Sequence, residues 1–232
     1  MSFNSRTVQE QLSDAVFLDG VSCTYKTTVM QRLQDEGYPC IVGDFSEHVR
    51  KYPSLIKQMT DRPMSLVYLA MLFLEHRTQH IIDRCWFANV VYSIVNYHPL
   101  DQVVPVCERL YRELPQPIIE SLRNMKVLVV LEKSPTANVQ RMKKRGSDID
   151  SALPIDYILK QNRVFKYFAD VFDWRIEYCN DDESPTTIQD RIMAALKEML
   201  VLDVTSSSEN EAGEIDETST RATMALEDDS DE

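Results

Sequence analysis

The sequence predicts an α/β fold, a parallel β-sheet with helices on both faces. Three observations carry that expectation. Short apolar runs alternate with stretches of helical periodicity from residue 15 to about 202. The run Lys126-Val-Leu-Val-Val-Leu131 is aliphatic without a break, as a strand buried on both faces of a parallel sheet must be. Several apolar runs end in glycine or charged residues, and the C-terminal ends of parallel strands are where such sheets bind ligands.

The elements follow in order. Residues 1–13 are polar and are expected to be a flexible N-terminus. Residues 15–19 read as the first strand, and Thr27 to Glu36 as a helix stopped by Gly37. Pro39 to Phe45 is a second apolar strand, after which Ser46 caps a helix to about Met59. Pro63 suits the first position of a helix that runs to about Gln79 and is apolar almost all round. His80 to Arg84 is a strand ending in a charged pair. Helices from about Trp86 to Tyr97 and Leu100 to Leu114 lead to the aliphatic strand at Lys126–Leu131. Ser134 caps a helix that turns strongly basic and stops at Gly146. The loop Ser147–Leu153, a helix from Pro154 to about Val171, a strand at Trp174–Cys179 and an amphipathic helix at Thr186–Leu202 complete the pattern.

Size and charge narrow the function classes. A chain of 232 residues with 44% hydrophobic content suits one domain, residues 14–203, followed by an acidic tail, residues 204–232. Net charge is −12, but residues 205–232 hold ten acids against Arg221 alone, so −9 belongs to the tail and −3 to the rest. Neither part offers the basic face that nucleic-acid backbones need. The tail is too polar to offset its ordering entropy and is expected to be disordered; it suits a basic protein partner. The longest apolar run, Met64–Leu74, is too short to cross a bilayer. The five cysteines, Cys23, Cys40, Cys85, Cys107 and Cys179, are scattered and odd in number, which suits reduced intracellular thiols in cytoplasm or nucleus.

The stretch that organises the chain is Gly20-Val21-Ser22-Cys23-Thr24-Tyr25-Lys26-Thr27-Thr28. It has the layout of a phosphate-binding loop, G-x-x-x-x-G-K-[ST], with Tyr25 where the second glycine belongs. A strand delivers the chain to a turn, and the next helix begins with backbone N–H groups aimed at one spot. Lys26 is placed to reach the β- and γ-phosphates of a nucleotide, and the Thr27 hydroxyl to hold Mg²⁺. A tyrosine at position 25 adds a Cβ and a ring where the backbone must approach the phosphates.

Other strand ends add candidates. Asp83 is a carboxylate for magnesium or its water, and Arg84 a planar fork for phosphate or sugar. Arg141, Lys144 and Arg145 fall at i, i+3 and i+4 on one helical face, the pattern of a cationic lid over transferring phosphates. Asp44, after the second strand, is the candidate general base for a substrate hydroxyl, and as a helix cap it reads nearly as well.

With these stations in sequence, residues 15–200 resemble the deoxynucleoside kinase and thymidylate kinase family of P-loop kinases. Ile82-Asp83-Arg84-Cys85-Trp86-Phe87-Ala88-Asn89-Val90-Val91-Tyr92 is similar to the thymidylate-kinase Asp-Arg-Tyr segment. Asn138-Val-Gln-Arg141-Met-Lys-Lys-Arg145-Gly, with Leu153-Pro-Ile-Asp-Tyr-Ile158, is similar to the deoxynucleoside kinase lid and the helix behind it. The divergence of the chain resembles viral members more than cellular ones. The resemblance implies the three-layer P-loop kinase fold, with a five-stranded parallel sheet in the order 2-3-1-4-5. It implies ATP as donor, Mg²⁺, a nucleoside or nucleoside monophosphate as acceptor, and a homodimer as in many relatives. It places Tyr68, Met71 and Leu72 along the base pocket. Three departures stand out: Tyr25 in the loop, Ala70 where a deoxynucleoside kinase reads the base with glutamine, and Cys85 and Ala88 at the tyrosine and serine of the thymidylate kinases. An active kinase is therefore one reading, and a kinase fold kept as a binding or scaffold module is the other.

Overall fold

A computed structural model describes residues 15–42, 80–145 and 155–209, with side chains described to residue 200. Five strands form one parallel sheet: β1 Val16–Gly20, β2 Cys40–Ile41, β3 Ile81–Asp83, β4 Lys126–Glu132 and β5 Arg175–Cys179. Their order is β2-β3-β1-β4-β5, as the resemblance implied. Seven helices accompany them among the described residues: α1 Lys26–Asp35, α2 Ala88–Tyr97, α3 Val103–Glu113, α4 Gln116–Asn124, α5 Pro135–Arg145, α6 Ile155–Phe172 and α7 Pro185–Glu209.

The period of two along the central strands builds two cores. Phe17, Val127, Val129 and Leu131 point to one face, where α2, α3, α4 and α6 pack. Val16, Leu18, Leu128 and Val130 point to the other, against α1 and α7. The first core is aromatic: Phe87, Phe168, Phe172 and Trp174 meet edge-on or stacked at 4.7–6.1 Å between centroids. The Trp174 indole N–H is satisfied by the Leu122 carbonyl at 2.8 Å, so the ring is buried without an orphaned donor.

Helix ends behave as the sequence signals require. Gly37, at φ 88°, lets the chain leave α1, and the Gly37 and Tyr38 N–H groups close onto the Gln34 and Leu33 carbonyls. Ser134 Oγ accepts from the Ala137 N–H at 3.5 Å, as its capping role predicts.

Some elements differ from expectation. Helix α1 begins at Lys26, and α2 at Ala88 rather than Trp86, because residues 84–87 first carry the chain over the end of the sheet. Helix α4 was not expected at all; Pro115 and Pro117 look like breakers, yet they occupy the cap and first turn, where proline fits. Helix α7 runs beyond Leu202 to Glu209. The expected helices at 46–59 and 63–79, the 1–13 terminus, the lid loop and the tail from residue 210 lie outside the described residues.

Candidate phosphate-binding site

Strand β1 ends at Gly20, which sits at φ 126° with its Cα against the backbone of β4. A Cβ there would lie 2.1 Å from the Val130 oxygen and 2.5 Å from its nitrogen. Only glycine allows this approach, and the Val21 N–H then donates to the Val130 carbonyl at 2.9 Å. Beyond it the chain folds into a loop that opens α1 without a side-chain cap. The first N–H groups of α1 thus have no intrahelical acceptor, and the positive end of the helix dipole faces the loop.

Tyr25 answers the problem its position poses. Its backbone takes the left-handed conformation, φ 64° and ψ 5°, that a glycine would have supplied. Cys23, at φ 58°, does the same two residues earlier. Each costs about 1–2 kcal/mol in an L-residue. The Tyr25 ring packs against the α1/α7 core and lies under the Arg141 guanidinium, 5.4 Å from ring centroid to Cζ.

Lys26 is 7% exposed. Its ammonium donates to the Val21 carbonyl at 2.5 Å, the Gly20 carbonyl at 3.1 Å and Thr24 Oγ1 at 3.3 Å. Burial first, then the nearby Arg84 charge, lower its pKa from 10.5 to about 8. Asp83, 5% exposed at the tip of β3, has its carboxyl pushed upward by burial, against the pull of Lys26 and Arg84. Its Oδ1 is buried with no hydrogen-bond partner among the described residues. Arg84 turns at φ 75°, its N–H held by the Leu18 carbonyl at 2.9 Å and its guanidinium 5.1 Å over the Tyr92 ring.

The basic helix α5 reaches the loop, and its residues divide the work. Arg141 Nε donates to the Cys23 carbonyl at 3.2 Å, and its guanidinium pairs with the buried Glu132 carboxylate at the end of β4. Burial pushes the Glu132 carboxyl up, while the Ser134 N–H at 2.9 Å and Arg141 pull it down. Arg141 is thus tied to the loop backbone, whereas Lys144 and Arg145 line the open space beside it.

That space is a cavity of about 600 Å³. It is lined by Ser22, Cys23, Thr24, Tyr25, Lys26, Thr27 and Thr28 of the loop, by Asp83 and Arg84, by Arg141, Lys144 and Arg145, and by Pro185 at the start of α7. Three segments that the sequence singled out separately therefore meet at one site. Gly20 and Val21 shape the loop from below. Asp44, Tyr68, Met71 and Leu72 lie outside the described residues.

Sequence reasoning missed four polar residues beneath the loop. Asp19 is buried, its carboxyl raised by that burial, and it accepts from the N–H groups of Gly20 at 2.8 Å and Cys85 at 3.2 Å. Asn138, Gln161 and Glu132 support Ser22 and Arg141. The available signal was a polar residue inside an apolar pattern: Asp19 in Val-Phe-Leu-Asp, Glu132 at the end of the aliphatic run, and Gln161 between Ile158 and Val164. Among the described residues no group of three His, Cys, Asp or Glu could hold a metal ion by itself, and no helix is long and apolar enough to cross a membrane.

No protein-family model and no curated protein matches this chain. Solved structures do. A deoxyadenosine kinase from M. mycoides, with products dCMP and a flexible dCDP bound, is similar with a TM-score of 0.51 at 17% identity, over 79% of this chain and 99% of that one. The same kinase with dCTP bound gives 0.50 at 18% identity over the same shares. The likeness is one of fold: the sheet order and the helices that flank it.

Proposed function

We propose that the protein transfers the γ-phosphoryl group of ATP, with Mg²⁺, to a deoxynucleoside or deoxynucleoside monophosphate, thymidine or thymidylate among them. The observation that carries this reading is the cavity, where an uncapped helix N-terminus, Lys26, Arg84, Lys144 and Arg145 converge. Four cations around unpaired N–H groups are complementary to a polyphosphate. The similarity in fold to a deoxynucleoside kinase supports the acceptor class.

The residues present fit a nucleotide-bound magnesium. The buried Asp83 Oδ1 lacks a partner among the described residues, and Thr27 lines the same cavity. Two oxygens are a sparse set, which suits an ion that keeps waters and takes substrate phosphates as further ligands. When bound, Mg²⁺ supplies charge neutralisation at the β- and γ-oxygens. Lys26 leaves the Gly20 and Val21 carbonyls to meet a phosphate. Arg84, Lys144 and Arg145 hold the charge that spreads over the equatorial oxygens, and Arg141 positions the Cys23 peptide. Asp44 is the base for the acceptor hydroxyl. A homodimer and a basic partner for the tail complete the proposal.

A second reading has its own observation. Lys26 is folded onto loop carbonyls and Tyr25 is stacked under Arg141, so the loop is filled by its own side chains. On that reading the fold binds without turning over. Transfer from radiolabelled ATP·Mg²⁺ to a panel of deoxynucleosides and their monophosphates separates the two. The kinase reading expects transfer by wild type, transfer about a thousandfold slower by Lys26→Met, and equal or faster transfer by Tyr25→Gly, which removes a strained αL residue. Silence from wild type with activity in Tyr25→Gly supports the binding module, and silence from both contradicts the kinase.

A further inference from the structure

The loop from Gly20 to Lys26 has a single glycine, and two of its other residues carry positive φ. Something must hold that conformation, since the loop's own sequence does not favour it. The restraint comes from α5 and α6. Gln161, fully buried in α6, accepts from the Ser22 N–H at 2.8 Å and from Ser22 Oγ at 3.2 Å through Oε1. Asn138, fully buried in α5, donates from Nδ2 to the Ser22 carbonyl at 2.8 Å and to Glu132 Oε2 at 3.3 Å. Both backbone polar groups of Ser22 are therefore gripped, by side chains 116 and 139 residues further along the chain. Neither amide is there to satisfy itself: Gln161 Nε2 and Asn138 Oδ1 are buried without partners among the described residues. Leaving such atoms orphaned costs about 1–3 kcal/mol each, a cost that the hydrogen bonds to Ser22 must offset.

We infer that Gln161 and Asn138 are positioning residues that clamp Ser22 and hold this glycine-poor loop in the shape that receives phosphate. The clamp takes over the restraint that Tyr25 and Cys23 cannot give. It also withdraws the Ser22 N–H from the ligand, so the phosphate donors are the N–H groups nearer α1. Glu132 closes the arrangement, because one carboxylate anchors both Asn138 and Arg141, the second of which holds the next carbonyl, that of Cys23.

The inference rests on the nucleotide-binding reading for its consequence, but the clamp itself is testable without it. Gln161 acts through its acceptor alone. Gln161→Glu keeps that acceptor, whereas Gln161→Met has nearly the same shape and lacks it. Asn138→Leu removes the other half. Mg·ATP affinity, the melting temperature of the ligand-free full chain, and hydrogen exchange of the Ser22 amide are measured for all four proteins. The expected result is binding about tenfold or more weaker in Gln161→Met and Asn138→Leu, with Gln161→Glu nearer wild type. Ser22 exchange should quicken in Gln161→Met with the melting temperature within a few degrees of wild type. Unchanged affinity in both clamp-breaking variants overturns the inference, as does an equal loss in Gln161→Glu and Gln161→Met. If wild type binds no nucleotide, the functional reading fails and Ser22 exchange decides: faster in Gln161→Met than in Gln161→Glu supports the clamp, and equal rates overturn it. If Gln161→Met does not fold, the same comparison is made with Asn138→Leu against wild type.

Discussion

Lys26→Met is expected to reduce phosphoryl transfer by about a thousandfold while leaving the stability of the ligand-free protein near that of wild type at pH 7 and below it at pH 10.5. The two effects have one cause. Lys26 is buried among loop carbonyls beside Arg84, and its pKa falls from 10.5 to about 8. The folded state thus holds a charge that the unfolded chain carries more easily, a penalty of about 3 kcal/mol at neutral pH. Between the folded value near 8 and the unfolded value of 10.5, the unfolded chain binds more protons, so wild-type stability rises with pH across that window. Methionine keeps the stem, removes the charge and gives up three hydrogen bonds worth about 1 kcal/mol each, so the gain and the loss nearly cancel at pH 7. Denaturation curves at pH 7 and pH 10.5 should show the variant close to wild type at the lower pH and less stable by up to about 3 kcal/mol at the higher. A stability difference that does not change between the two pH values, or a variant with normal transfer, would count against the role given to Lys26.

Gly20→Ala should destabilise the protein by more than about 4 kcal/mol, combining a disfavoured backbone region with overpacking. The new methyl carbon would stand 2.1 Å from the Val130 oxygen at φ 126°, and the atom in its way is backbone of the central strand, which cannot rotate aside. Domains of this size are stable by about 5–15 kcal/mol, so a large share is lost and the loop is displaced with it. Urea unfolding measures the difference. A loss under about 1 kcal/mol would mean that β1 and β4 are not as close as described.

Much of this architecture was readable from the residues. Strand β4 announced itself by an unbroken aliphatic run, and β1 by a short apolar run stopped at a glycine with Lys-Thr following. The cations of α5 were legible from helical spacing. Long-range pairing was less so. Arg141 looked like a free lid cation because nothing local reveals that Glu132, nine positions earlier, lies buried opposite it. Gln161 and Asn138 act on a residue more than a hundred positions away, and one-dimensional periodicity carries no such distance. The doubt over Tyr25 was sound in kind, since glycine is what an αL position prefers. In three dimensions Tyr25 takes the αL conformation itself and packs its ring against the α1/α7 core and under Arg141, neither of which a motif encodes. Helix α4 was hidden by its prolines, which mark a helix start as readily as a break.

The central claim is that the cavity over Gly20–Thr28 receives the polyphosphate of a nucleotide and that Lys26 meets it. Calorimetric titration of Mg·ATP onto the full chain at pH 8.5, in two buffers of different ionisation enthalpy, tests it most directly. An anion beside Lys26 must raise a pKa that now lies at about 8. The account predicts a single site with Kd below about 1 mM and net proton uptake on binding, absent in Lys26→Met. Absence of saturable binding at several millimolar ATP, or binding by wild type without proton uptake, would contradict it.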